Sequence, residues 1–352
     1  MSGKMIKSKN TAAEFFRLAE KQREAAEYIR AIELYRKSLS AFKREADIAG
    51  TLDCFLSLGD TLRAKGDFEE SKKYYEEGLD MADALDDVPS KADASAGLGL
   101  CLRALGDWKG ALRMIAGAGR LYRALDDRKG QAFAAWATAG TYRIKGDISR
   151  AIEGFHESLR LFRQLKDRSG MAYSYCGLGG SSRVACRFRE SESYYKMANS
   201  MFGRLNDRFG LAYSYCGLGN ARRMNGDYSR ALAYFKKAEA LYEKIGDRVS
   251  YSYTLWSVGT TYKMLGKNAE AAGYFKRSLG FFMQTKDPRG KIYCILGAGE
   301  VDLLNSDRRR AKGEFLKAQR LAARYGFKVE KGYADRLLKC VERGKGFPVN
   351  LP

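Results

Sequence analysis

The chain has 352 residues, with 63 Lys and Arg against 42 Asp and Glu, a formal net charge of +21, four prolines and one histidine. A content of 45% hydrophobic and 12% aromatic residues is too apolar for a disordered chain, and no apolar run approaches the roughly 18–20 residues of a membrane span. The single histidine, His156, excludes an HExxH zinc site and any multi-histidine metal centre. P-loop and nucleophile-elbow signatures are missing as well, so catalytic, metal and cofactor sites are all expected to be absent. Length alone predicts two globular domains, at roughly 150 residues each.

In chain order, residues 1–10 are basic, lack the apolar stretch of a secretory signal, and read as a flexible N-terminus. From residue 11 onward the chain is governed by a repeat. Gly-Asp or a close variant recurs at Gly66-Asp67, Gly106-Asp107, Gly146-Asp147, Gly226-Asp227 and Gly266-Lys267, with Cys186-Arg187 and Ser306-Asp307 in the remaining slots. A second marker falls between them at Asp127-Arg128, Asp167-Arg168, Asp207-Arg208, Asp247-Arg248 and Asp287-Pro288. Both series have a period of 40 residues. Two turn signals per period, separated by stretches too long for strands and nearly free of proline, predict two helices per unit. The Asp of the second marker is placed to N-cap the next helix. This organisation replaces two domains by one continuous superhelix.

Within each unit, small and large residues keep fixed places. Seven residues before the Gly-Asp turn stand Gly59, Gly99, Ala139, Gly179, Gly219, Gly259 and Gly299. Five after it come Ser71, Ala111, Ala151, Ser191, Ala231, Ala271 and Ala311. Four further on is a large residue, Tyr75, Ile115, Phe155, Tyr195, Phe235, Phe275 or Phe315, and three beyond that a small one returns. Two antiparallel helices approach closely where side chains are small, and a ring fills the space one turn along.

This pattern resembles the tetratricopeptide repeat, in its Leu-Gly pairs (Leu58-Gly59, Leu98-Gly99, Leu178-Gly179, Leu218-Gly219) and its Ala-x-x-x-Phe-x-x-Ala runs (Ala231, Phe235, Ala238; Ala311, Phe315, Ala318). The 40-residue unit resembles the branch of cell-polarity adaptors and kinesin-light-chain-type cargo binders. Ala19, Ala31, Tyr35 and Ser38 supply a degenerate first unit, so the resemblance covers residues 11–330 as eight units. It implies an all-α, right-handed solenoid. Residues 331–343, with Tyr333, Leu337 and Leu338 at helical spacing, read as a capping helix, and 344–352 as a frayed tail.

Taking the small residue of the first helix as reference, positions −6, −3, +1 and +4 form a second stripe on the helical wheel. In the family that stripe lines the concave groove. Position +4 is Arg23, Arg63, Arg103, Arg143, Arg183, Arg223 and Lys263, a cation in seven consecutive units. Aromatic residues join them at Phe133, Trp136, Tyr173, Tyr213, Tyr253, Trp256 and Tyr293. Arg offers bidentate hydrogen bonds to carboxylates, and Tyr and Trp offer flat area with a polar edge. Asn220 stands where family members hold a ligand backbone. The candidate peptide-binding residues are therefore Arg103, Trp136, Arg143, Tyr173, Arg183, Tyr213, Asn220, Arg223, Tyr253, Trp256 and Lys263.

A structural role is equally open to this stripe. Arg and Lys near a helix C-terminus meet its dipole favourably, and tyrosines can wedge between first helices. His156 reads as a surface or inter-unit residue, and Cys176 and Cys216 as small packing residues. The seven cysteines contain no CxxC pair and fit a reducing, cytoplasmic setting. Charge concentrates at the end: Asp307 to Lys345 holds 13 Lys and Arg against five Asp and Glu, with a secondary patch at Arg308, Arg309, Arg310 and Lys312. The expected function is a non-enzymatic adaptor binding an acidic or aromatic extended segment of a partner protein. The alternative is a basic helical repeat binding single-stranded RNA or another nucleic acid.

Overall fold

The computed structural model describes residues 11–352; the basic segment 1–10 lies outside the described residues. The first nine helices are α1 (Ala12–Glu24), α2 (Tyr28–Arg44), α3 (Ile48–Lys65), α4 (Phe68–Ala84), α5 (Val88–Ala104), α6 (Trp108–Ala124), α7 (Arg128–Lys145), α8 (Ile148–Gln164) and α9 (Arg168–Val184). They continue as α10 (Phe188–Leu205), α11 (Arg208–Met224), α12 (Tyr228–Ile245), α13 (Arg248–Met264), α14 (Asn268–Gln284), α15 (Pro288–Leu304), α16 (Arg308–Tyr325) and α17 (Lys328–Arg343). Every helix packs antiparallel on the next, and successive odd-numbered helices also pack on one another. The odd helices thus form the inner layer of a superhelix and the even ones the outer. No described helix is long and apolar enough to cross a membrane.

Local chemistry sets the helix boundaries. The side chains of Asp47, Asp87, Asp127, Asp167, Asp207, Asp247 and Asp287 all accept from first-turn amides of the inner helices they precede. Asp107, Asp147, Asp227 and Asp307 do the same for outer helices. The preceding turn residue adopts a left-handed conformation, with φ of 96° at Gly66 and 94° at Gly106. Glycine carries no steric penalty there. Cys186 and Ser306 fill the same slot with φ of 60° and 68°, held by the short turn they close.

The large residue of each outer helix does more than fill its own unit. Tyr195 packs on Gly179 of its own unit and on Gly217 of the next: a Cβ at Gly179 would meet its ring at 2.9 Å, and one at Gly217 at 2.1 Å. Tyr75 is gripped in the same way by Gly59 and Gly97, and Phe275 by Gly259 and Gly297. The second glycine of each pair, two residues before the reference position, is a contact the repeat pattern alone did not single out. A further ring per unit meets the start of the next inner helix, as Phe162 does at Gly170 and Phe202 at Gly210. These rings are buried, Phe155, Phe235 and Phe315 at 1% exposure or less.

Regular stacking carries the superhelix back onto itself. The Gly66 turn lies against Val249 and Thr285, the Gly106 turn against Pro288 and Tyr325, and the Gly146 turn against Lys328 and Val329. Trp108 Nε1 donates to Tyr325 O at 3.0 Å across a separation of 217 residues. Turns of the early units therefore dock on inner-helix starts roughly four and a half units later, a coil with an inside.

The tail is a correction to the sequence reading. Val349 and Leu351 are 2% and 1% exposed, within the same core cluster as Trp256, Phe275 and Tyr293. Residues 344–352 are folded in, because alternating apolar side chains find an uncovered end of the inner layer.

The ring-and-glycine contact makes a paired prediction. Gly217→Ala should lower stability by about 1–3 kcal/mol, since its methyl group overlaps the Tyr195 ring. Gly273→Ala, in α14 with open space around it, should instead raise stability by up to about 1 kcal/mol through helix propensity. Denaturant melts of the two variants check both signs.

Candidate functional site

The coil curves around a half-open chamber of about 1500 Å³. Its wall includes Arg23, Arg63, Arg103 and Arg143 from the ends of inner helices, with Phe133, Trp136, Tyr173 and Tyr213. Tyr28, Asp207, Phe209 and Asp247, at helix starts, also line it. The inner stripe thus faces the chamber over its first half.

The cations form one row but have different partners. Arg23 pairs with Glu20 at 2.5 Å, and Arg63 with Asp60 at 2.8 Å. Among the described residues, no carboxylate pairs with Arg103, Arg143 or Arg183. Arg103 donates only a long bond, 3.4 Å, to Ala137 O and lies over the Trp136 ring at 5.7 Å. Arg143 lies over Phe155 at 5.9 Å, and the Nε atoms of Arg143 and Arg183 are buried without a protein hydrogen-bond partner. Gly140 and Gly180 make room for this: a Cβ there would lie 2.5 Å from Arg103 Nη1 and 2.2 Å from Arg143 Nη1. Each guanidinium is laid flat on the next inner helix.

Crowding of like charge shows in the acidities. Burial first, then the cations of Arg143 and Arg63, lower the Arg103 guanidinium to about 10. Burial and the cation of Arg183 lower Arg223 to about 9. Lys263 is lowered by burial, with Arg223 adding to the effect and Glu300 opposing it. Neighbouring cations therefore act on one another in two stretches, Arg63 to Arg143 and Arg183 to Lys263.

Not every predicted residue is open to a ligand. Arg103, Trp136, Arg143, Tyr173 and Tyr213 line the chamber. Trp136 Nε1 donates to Tyr173 O at 3.4 Å, and Tyr173 Oη to the capping Asp207 at 2.9 Å, so these aromatics also stitch neighbouring inner helices. Tyr253 and Trp256 depart from expectation. Tyr253, half-buried, donates to Asp287 at 2.9 Å and lies outside the chamber lining; Trp256, 4% exposed, donates to Tyr293 O at 3.0 Å and is packed between inner helices with no free face for a ligand. Arg223 and Lys263 are 0% and 1% exposed under the C-terminal tail. Asn220 accepts from Arg223 at 3.0 Å and donates to Cys216 O at 3.1 Å. Arg308, Arg309, Arg310 and Lys312 lie exposed at the start of α16, remote from the chamber, and Arg310 pairs with Asp302 at 3.2 Å.

Sequence reasoning missed Tyr28, Phe209 and Asp247, which line the chamber from helix starts outside the stripe positions. It also missed the tail's role, for which a signal existed: two of the four prolines fall at Pro348 and Pro352, flanking Val349-Asn350-Leu351. Prolines around alternating apolar residues mark a fixed non-helical segment.

The model of the tetratricopeptide repeat matches residues 10–84, 170–244 and 210–284. No curated protein matches the chain in sequence. Among solved structures, a Rap protein complexed with competence and sporulation factor superposes with a TM-score of 0.59 at 15% identity, covering 95% of this chain and 98% of that one. A STAND signal-transduction ATPase with a tetratricopeptide-repeat sensor, from Pyrococcus horikoshii, gives a TM-score of 0.53 at 16% identity over 94% of this chain and 50% of that one. Cut9, from the APC/C Cut9–Hcn1 hetero-tetramer, gives 0.52 at 16% identity over 94% and 67%.

Two carboxyl groups of the chamber wall, Asp93 and Asp247, are raised by burial, and Asp247 carries the large displacement. Burial pushes Asp247 from 3.8 up to about 6, although Ser250 and the amides it caps pull the other way. A carboxyl raised in the folded state destabilises the fold where it is ionised, above about pH 6, and that penalty fades as pH falls toward 4. Asp247→Asn keeps the capping acceptor without the charge. The variant should gain about 2 kcal/mol over the native chain at pH 8 and little at pH 4, read from melts at the two pH values.

With inner and outer helices alternating as the repeat requires, and the family model matching more than half of its length, the chain belongs to the tetratricopeptide-repeat family.

Proposed function

We propose that the chain is a non-enzymatic scaffold that takes an acidic, extended segment of a partner protein into the chamber, along Arg103 and Arg143. One observation carries this reading: among the described residues, these two guanidiniums of the chamber wall lack a carboxylate, while Arg23 and Arg63 before them in the row have one. Crowded cations favour an anion that spans them, and the spacing of stacked helices, roughly 10 Å, suits a chain advancing about 3.3 Å per residue. Trp136, Tyr173 and Tyr213 offer rings beside the cations for aromatic residues of the segment. The resemblance in fold to a Rap protein complexed with a signalling factor supports a ligand-binding scaffold without naming the ligand.

The test uses a fluorescein-labelled decapeptide of alternating Glu and Phe, with a Gln-for-Glu copy as control. The native chain should bind the acidic peptide at least tenfold tighter than the control, with affinity falling as salt rises. Arg103→Gln with Arg143→Gln should remove that preference without changing helicity. Equal binding of both peptides, or tighter binding of a single-stranded oligonucleotide that depends on the same arginines, would overturn the reading.

A further inference from the structure

The last residues of the chain make more specific contacts than closing a core requires. Val349 N donates to Glu300 Oε1 at 2.6 Å, and Val349 O accepts from Lys263 Nζ at 2.8 Å. Asn350 Nδ2 donates to Arg223 O at 2.9 Å, while Asn350 Oδ1 accepts from Arg223 Nη1. Leu351 O accepts from Arg223 Nη2 at 2.9 Å. Leu351 N returns to Val349 O at 3.1 Å, a tight turn that sends the two apolar side chains inward and the amide between them onto Arg223. Three residues thus satisfy main chain and side chain alike.

The groups they meet are stripe residues. Arg223 and Lys263 occupy the cation position of their units, and Glu300 occupies position +1 of the last. Where Arg143 has a glycine in the next unit to lie on, Lys263 has Glu300, buried at 0% exposure and ion-paired to it. That pair offers a donor and an acceptor side by side, the complement of one residue's main-chain N–H and C=O. Arg223 has no carboxylate among the described residues; carbonyl and amide oxygens surround it instead. A buried cation held only by neutral oxygens is stable when those oxygens are present, so the site favours exchange of occupants over standing empty.

We propose that Asn220, Arg223, Lys263 and Glu300 form a second peptide site, separate from the acidic-segment reading, that is filled in cis by Val349–Leu351. From a partner protein it takes a short apolar–Asn–apolar turn, which must displace the tail. The Asn is specified because its amide donates to Arg223 O through Nδ2 and accepts from the guanidinium through Oδ1, two separate atoms at two points. Val349 and Leu351 set the flanking apolar residues. Gly344 and Gly346, at φ of 67° and 88°, form the joint on which the tail leaves α17. A tether this short gives the tail an effective concentration on the order of millimolar, so the native chain presents the site as guarded.

The experiment uses the full chain and a labelled nonapeptide of residues 344–352. Asn350→Ala with Leu351→Ala loosens the tail in cis. That variant should bind the nonapeptide at least tenfold tighter than the native chain does, and a nonapeptide with Ala for Asn should lose the gain. In parallel, hydrogen exchange at the Val349 amide of the native chain should quicken when unlabelled nonapeptide is added in excess. A folded variant that binds no better than the native chain overturns the proposal. If the variant does not fold, the native chain decides: exchange at Val349 that occurs only with global unfolding and ignores the peptide overturns it, and peptide-accelerated exchange supports it. Neither readout involves Arg103 or Arg143, so this site and the acidic-segment site stand or fall separately.

Discussion

A ring held between small residues of successive inner helices is the contact on which the molecule depends. Tyr75, Phe155, Tyr195 and Phe275 each enter a slot that even one methyl group on Gly97, Gly177, Gly217 or Gly297 would fill. A hard aromatic plane in a slot of fixed width sets how far one unit turns relative to the last, because interiors this dense have few other solutions. Repeating one rotation gives constant curvature. Constant curvature brings the turn of one unit onto inner-helix starts well downstream, and Gly66, Gly106 and Gly146 accept Val249, Pro288 and Val329 there. The chamber is the space that this curvature encloses.

The same geometry gives the charge its meaning. A net charge of +21 spread over a surface would mainly aid solubility. Here seven of the cations lie in one file along the inner layer, and Arg103, Arg223 and Lys263 are lowered by burial with neighbouring cations adding to the effect. The file is compensated at both ends and bare in the middle. Glu20 and Asp60 serve the first two cations, and the tail's oxygens with Asn220 and Glu300 serve Arg223 and Lys263. Arg103 and Arg143 are left with aromatic faces and glycine backbones, and Arg183 with a buried Nε that has no protein partner, an environment that favours an anion from outside.

Local rules were legible in the sequence because they repeat. The 40-residue period, the capping aspartates and the small–large alternation each occur several times, so noise in one unit is averaged by the others. The cation row was legible for the same reason. Contacts made once, between residues distant in the chain, left little trace. Trp108 stands where other units have Phe68, Ile148 or Tyr228, and nothing local says that its indole nitrogen will reach Tyr325 O. The tail was misread because helical periodicity stops at Arg343, and the end of a pattern resembles the end of order. Tyr253 and Trp256 were misassigned because the stripe that lines a groove in one stretch becomes an inter-helix seam where the tail covers it.

The central claim is that the repeat geometry closes the coil around a chamber, and small-angle X-ray scattering of the native chain tests it directly. A closed coil predicts a radius of gyration near the roughly 20 Å of a compact chain of this length, with a pair-distance distribution that falls off in one step. A radius of gyration close to 30 Å, with a long tail in the distribution, would describe an open solenoid and contradict the account.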